Sequence, residues 1–263
     1  MKVLFIVVSL SVLALAGCST PKAIVTKKEA GKQTLTAEEK IVLTEHMDYH
    51  ERTEFYYMLQ YDKSNLYLTL ATFNQNLQRK IGHFGFTVWI DKTGGKNREQ
   101  GFRFPLGARM AGDYRERSIN LSMMGYRIGP INALLERADE IDLIGIYGTS
   151  TRTVRMRDSR IRVKAERIEN MLIYEAVIPY ELLRFGFNPL ADIISMSIGL
   201  ETGHFEPTST SGGRTPSDVR RPGGMSGRVP GRMPDRGLMN QRLENMGELS
   251  RPTRLWLELE FDL

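Results

Sequence analysis

From residue 55 onward the chain repeats one pattern: hydrophobic residues on every second position, in short runs separated by Gly, Asn, Asp or Pro. A period of two places alternate side chains on opposite faces of an extended backbone, so these runs predict strands with one buried face. Residues 55–61 and 66–73 are two such runs, and Asp62-Lys-Ser-Asn65 between them predicts a hairpin loop. In residues 84–90 the even positions Phe84, Phe86, Val88 and Ile90 form one apolar face. A glycine turn, Asp91-Lys-Thr-Gly-Gly-Lys-Asn97, follows, and Phe102, Phe104 and Leu106 mark the returning strand. Ile119, Leu121 and Met123 alternate again. The period then changes: Pro130 suits a first helical position, and Ile131, Leu134, Leu135 and Ala138 share a helical face, predicting a short helix. Strand patterns resume at 141–147, 160–165 and 171–178, where Pro179 ends the run and 180–184 fits a single helical turn. Residues 193–200 are apolar at nearly every position, as a strand covered on both faces would be. At the C-terminus Leu255, Leu257, Leu259 and Phe261 alternate with outward Trp256, Glu258 and Glu260. About nine or ten strands with one or two short helices predict an all-β class, an antiparallel β-sandwich of the immunoglobulin-like or jelly-roll-like kind.

The N-terminus follows another rule. Lys2 precedes fourteen uncharged residues, 3–16, and then Gly17-Cys18. The apolar run is shorter than the roughly 18–20 residues a spanning helix needs, and small residues follow it, which is the grammar of a cleaved export signal. Cys18 is the sole cysteine of 263 residues, so no internal disulfide explains it. Leu15-Ala16-Gly17-Cys18 resembles the lipobox of bacterial lipoproteins. That resemblance implies cleavage before Cys18, acylation of its thiol and amine, and stable anchoring, because two or more acyl chains hold a protein where one does so only marginally. Ser19 stands where an aspartate would imply retention in the inner membrane, so the expected location is the outer membrane, facing the periplasm. Residues 19–39 are polar and predict a flexible tether. Thr36 and Glu39 have the spacing of a capping box, predicting a short helix at the entrance to a single domain over 40–263.

Charge changes the picture less than its total implies. The chain carries a net +5, yet residues 207–254 alone hold nine arginines, no lysine and four acids, so the remainder is neutral. Eight glycines and six prolines in those 48 residues mark a low-complexity stretch, predicting a disordered insert at about 207–250 between two strands. Loop-closure entropy grows only logarithmically with length, so the last strand can rejoin the sheet. A neutral body behind an export signal is not expected to meet nucleic acid.

Catalytic patterns are sparse. His46 and His50 have the i, i+4 spacing of two zinc ligands on a helix, but Met47 stands where a metalloprotease needs its glutamate base, and sequence offers no third ligand. His204 and Glu206 lack the paired cysteines of a zinc deaminase. Thr93-Gly-Gly-Lys96 lacks the upstream glycine and the Ser or Thr of a phosphate loop, and precedes a strand. No G-x-S-x-G elbow is present. The expectation is a non-enzyme without cofactor or metal.

Aromatic side chains on outward strand positions are the better candidates for ligand binding, since flat rings stack on sugar faces while polar neighbours bond hydroxyls. Trp89 beside Thr87, Tyr67 beside Thr69, and Trp256 outward with Glu258 and Glu260 fit this description. Two blocks, Phe86-Thr-Val-Trp-Ile-Asp91 and Tyr174-Glu-Ala-Val-Ile-Pro-Tyr-Glu-Leu-Leu183, resemble the family 9 carbohydrate-binding modules and their relatives. The resemblance implies a β-sandwich over roughly 40–263 and sugar binding between aromatic rings, although neither tryptophan matches the family's clamping positions. The expected partners are therefore the membrane, through Cys18, and a glycan or other envelope component. The alternative is a scaffolding lipoprotein that docks an envelope protein through its basic insert.

Overall fold

The computed structural model describes residues 20–28, 37–107, 131–148, 150–183, 196–204 and 247–262. Twelve strands run through them: β1 (Lys22–Lys27), β2 (Asp48–His50), β3 (Phe55–Tyr61), β4 (Asn65–Thr72), β5 (Phe86–Asp91), β6 (Gly101–Arg103), β7 (Glu140–Ile144), β8 (Thr151–Arg155), β9 (Arg162–Ile168), β10 (Met171–Pro179), β11 (Ser197–Thr202) and β12 (Arg254–Phe261). Helices are short: α1 (Ala37–Leu43), α2 (Gln75–Arg79) continuing into a π-turn at Lys80–Phe84, and α3 (Ile131–Glu136).

The all-β class holds, but the sheet is mixed and curled. Its strands lie in the order β8-β7-β6-β5-β11-β12-β1-β3-β4-β10-β9, with β2 paired to β3. From β8 to β12 every pairing is antiparallel, as is every pairing from β3 to β9. Between these halves β1 runs parallel to both β12 and β3. One strand therefore turns what sequence patterning predicts as two antiparallel layers into a single mixed sheet. The two ends of the path, β8 and β9, are joined by only the six residues 156–161, so the sheet wraps back towards itself.

That strand corrects the tether expected over 19–39. In β1 the side chains of Ala23 and Val25 are 1% and 0% exposed, while Lys22, Ile24 and Thr26 point outward. Two inward residues in a polar run are too weak a pattern to announce a strand. The stabilisation comes from neighbours far away in sequence, as β structure generally requires. The ordered body thus begins at least 18 residues before the expected Lys40. β8 and β2 also exceed the expected strands, being short and largely exposed. Charged, short edges such as β8 are a common defence against edge-to-edge pairing. The run at 119–123, the export segment at 1–18 and residues 205–246 of the insert lie outside the described residues.

Alternation otherwise translates directly into burial. Phe86, Val88 and Ile90 of β5 point inward, as do Leu255, Leu257 and Leu259 of β12. Phe86 links the halves, lying 5.0 Å from Tyr174 of β10 in a T-shaped contact and 5.9 Å from Phe55 of β3. Burying each such side chain contributes about 1.5–3 kcal/mol. The two sequence blocks at 86–91 and 174–183 are therefore the facing strands β5 and β10, followed by the helical turn Tyr180–Leu183.

Candidate functional site

On the outer face of the β6-β5-β11-β12 half, strand register lines up Gly101, Trp89, Gly199 and Trp256 in one row. The glycines are what allow the indoles to lie down. A Cβ on Gly199 would stand 2.7–2.8 Å from three atoms of the Trp256 ring, and one on Gly101 would meet the Trp89 ring at 3.1 Å. Each ring therefore rests on bare backbone, half-buried, with its opposite side towards the surface.

The next outward row is Arg103, Thr87, Glu201 and Arg254. Glu201 organises it: Trp89 Nε1 donates to Oε2 at 2.8 Å, while Arg254 Nε donates to Oε1 at 2.7 Å and Arg98 approaches the same oxygen at 3.5 Å. Arg103 Nε donates to Thr87 Oγ1 at 3.1 Å. On the other flank Asp91 and Ser197 pair across β5 and β11. Burial disfavours the Asp91 charge, but the Asn97 N–H and the Thr93 hydroxyl and N–H outweigh that and hold its carboxyl below the usual range. The Thr93-Gly-Gly-Lys96 stretch is accordingly a hairpin turn built around Asp91. Two ring-bearing positions framed by hydrogen-bonding side chains can stack on a flat, polyhydroxylated ligand and bond its edge.

Structure separates the third aromatic candidate from this pair. Tyr67 sits on β4, in the other half; its hydroxyl donates to Asp62 at 2.6 Å and its ring carries the Lys28 ammonium 3.6 Å from the centroid. Asp62 also accepts the N–H groups of Ser64 and Asn65, which closes the expected hairpin loop. Tyr67 is thus committed to local structure. His46 and His50 also part company: His46 lies in a 3-10 turn and His50 in β2, so they do not share a helix face. The Thr53 N–H donates to His50 Nδ1 at 3.3 Å, and the Thr53 hydroxyl lies 2.8 Å from the same nitrogen. Among the described residues no group of three His, Cys, Asp or Glu side chains can hold a metal, and no helix is long and apolar enough to cross a membrane.

A second concave feature went unread in the sequence. A polar groove of about 470 Å³ opens between the β2–β3 turn, α2 and the segment leading into β12, lined by Arg52, Glu54, Asn74, Lys80, Glu248 and Arg251 among others. Lys80 is 8% exposed and its ammonium donates to Thr253 Oγ1 at 3.0 Å. Burial pushes its pKa down, with only partial relief from Glu248. Beside the groove, Phe73 directly precedes Asn74 and meets Tyr56 edge-on at 5.8 Å, and Tyr56 meets Tyr49 at 4.6 Å. Tyr49 and Phe73 are 47% and 38% exposed, which makes this ladder open surface. Phe73 closes the 66–73 run on the same outward parity as Tyr67 and Thr69, which is the sequence signal for its exposure.

No protein-family model and no curated protein matches the chain. Among solved structures, a family 9 carbohydrate-binding module from Caldicellulosiruptor kristjanssonii in complex with glucose aligns over 69% of this chain and 77% of its own. The identity is 9% and the TM-score 0.33, so the similarity is loose and assigns no ligand to this chain.

Proposed function

We propose that the chain is a non-catalytic lipoprotein, anchored through Cys18 in a bacterial outer membrane and facing the periplasm, whose β domain binds a glycan. The observation that carries the binding role is the Gly101-Trp89-Gly199-Trp256 row, in which two indoles lie flat across adjacent strands within a polar frame. The export-signal grammar and lipobox-like Leu15–Cys18 support the anchor.

The test is calorimetric titration of the detergent-extracted full chain against neutral envelope and plant polysaccharides. Ring stacking is worth about 0.5–1.5 kcal/mol, so Trp256→Ala should weaken binding about tenfold with the melting temperature nearly kept. Silence across the panel from a folded protein ends the glycan reading. One observation favours a second reading, docking of an envelope protein through the basic insert. The insert's ends are stitched together, with Thr202 N donating to the Thr253 carbonyl at 3.0 Å, so the sheet itself does not need it.

A further inference from the structure

We infer that the groove around Lys80 is an oxyanion-binding site, taking the carboxylate or phosphate of a sugar-sized ligand. The site does not depend on the tryptophan row. A buried ammonium is costly unless paired. Lys80 is a 92%-buried cation whose bond among the described residues is to the neutral hydroxyl of Thr253, not to a carboxylate. The two acids lining the groove each accept from a neutral amide that also lines it, Glu54 from Asn74 and Glu248 from Asn76, and Glu248 only partly offsets the burial of Lys80. Arg254 is held by Glu201. That leaves Lys80 at the floor with Arg52 and Arg251 exposed at the rim.

With Arg254 tied to Glu201, three cations against two carboxylates leave the groove net positive, which favours a ligand of negative charge. The cavity's dimensions favour a small one, since about 470 Å³ falls within the range of sites that enclose a single small molecule. Thr253 adds a hydroxyl beside the Lys80 ammonium. A bound oxyanion would give Lys80 a directly hydrogen-bonded charged partner, which it lacks among the described residues, and charge-assisted bonds of this kind are about twice as strong as neutral ones.

The experiment is calorimetric titration of the full-length chain with galacturonate oligomers, with glucose 6-phosphate and with neutral glucose. Saturable binding of either anion, with glucose silent, is the expected result, and which anion binds distinguishes carboxylate from phosphate. Lys80→Met should reduce that affinity at least about tenfold, the order lost with one charge-assisted contact. Arg251→Ala, which alters only an exposed rim side chain, should reduce it several-fold and serves as the readout should Lys80→Met fold poorly. Silence of both anions, or binding unchanged in these variants, overturns the inference. Loss of neutral-glycan binding on its own would leave this site standing and remove only the tryptophan-row reading.

Discussion

The two antiparallel halves bury the same kind of inner face and finish their outer faces in opposite ways. The β3-β4-β10-β9 half is covered by α1, whose Lys40, 6% exposed, reaches Glu166 at 2.5 Å and Glu175 at 2.6 Å. Ile41 and Met47 pack beside it against Ala71, Met171 and Ile173. On the outer face of the β6-β5-β11-β12 half the tryptophans lie on glycines. Where a face is closed by a salt-bridged helix its polar groups are spent on the fold. Where glycines stand beside tryptophans instead, half-buried rings are left at the surface.

Breaking the join between the halves should have the largest effect. Val25→Asp places a charge at a fully buried position of β1, where it has no partner, and should cost several kcal/mol and unfold both halves together. Two separate thermal transitions would show instead that each half stands alone. Lys40→Met tests the covered face. Burial opposes the Lys40 charge, but the two carboxylates outweigh it and raise its pKa. Glu166 is held below its ordinary range: burial opposes the charge there too, and Lys164 and Lys40 prevail. The glutamates are about a third exposed, so the loss should be modest, about 1–2 kcal/mol, read by denaturant unfolding. The native state binds fewer protons at Glu166 than the unfolded state does. That stabilisation is complete above the ordinary carboxylate range and is lost as pH falls through it, so the variant should show a shallower decline in acid. Smallest in stability is Gly199→Ala, whose methyl lifts the Trp256 ring. It should change unfolding by less than about 1 kcal/mol while weakening glycan binding as much as Trp256→Ala.

Much of this contrast is written in the chain. Inward alternation named β3, β5, β10 and β12 within a residue or two, because each buries one whole face, and the outward placement of Trp89 and Trp256 followed from the same period. What the glycines do for those rings was hidden, since it depends on strand register, across 12 residues for Trp89 and Gly101 and 57 for Gly199 and Trp256. Lys80 was illegible for a related reason: its burial is created by the segment before β12, across 173 residues. β1 was missed because its pattern is two residues long and its partners are distant.

The position of β1 also bears on how close the domain would stand to an anchor at Cys18. If Cys18 is lipidated, four peptide steps separate it from Lys22, a leash of about 14 Å at full stretch where a free stretch of some twenty residues would reach about 70 Å. Glu258 N donates to the Pro21 carbonyl, so the leash leaves the sheet beside the middle of β12, two residues past Trp256. The molecule would then be held close against the bilayer, sampling only what comes within a few nanometres of the lipid surface.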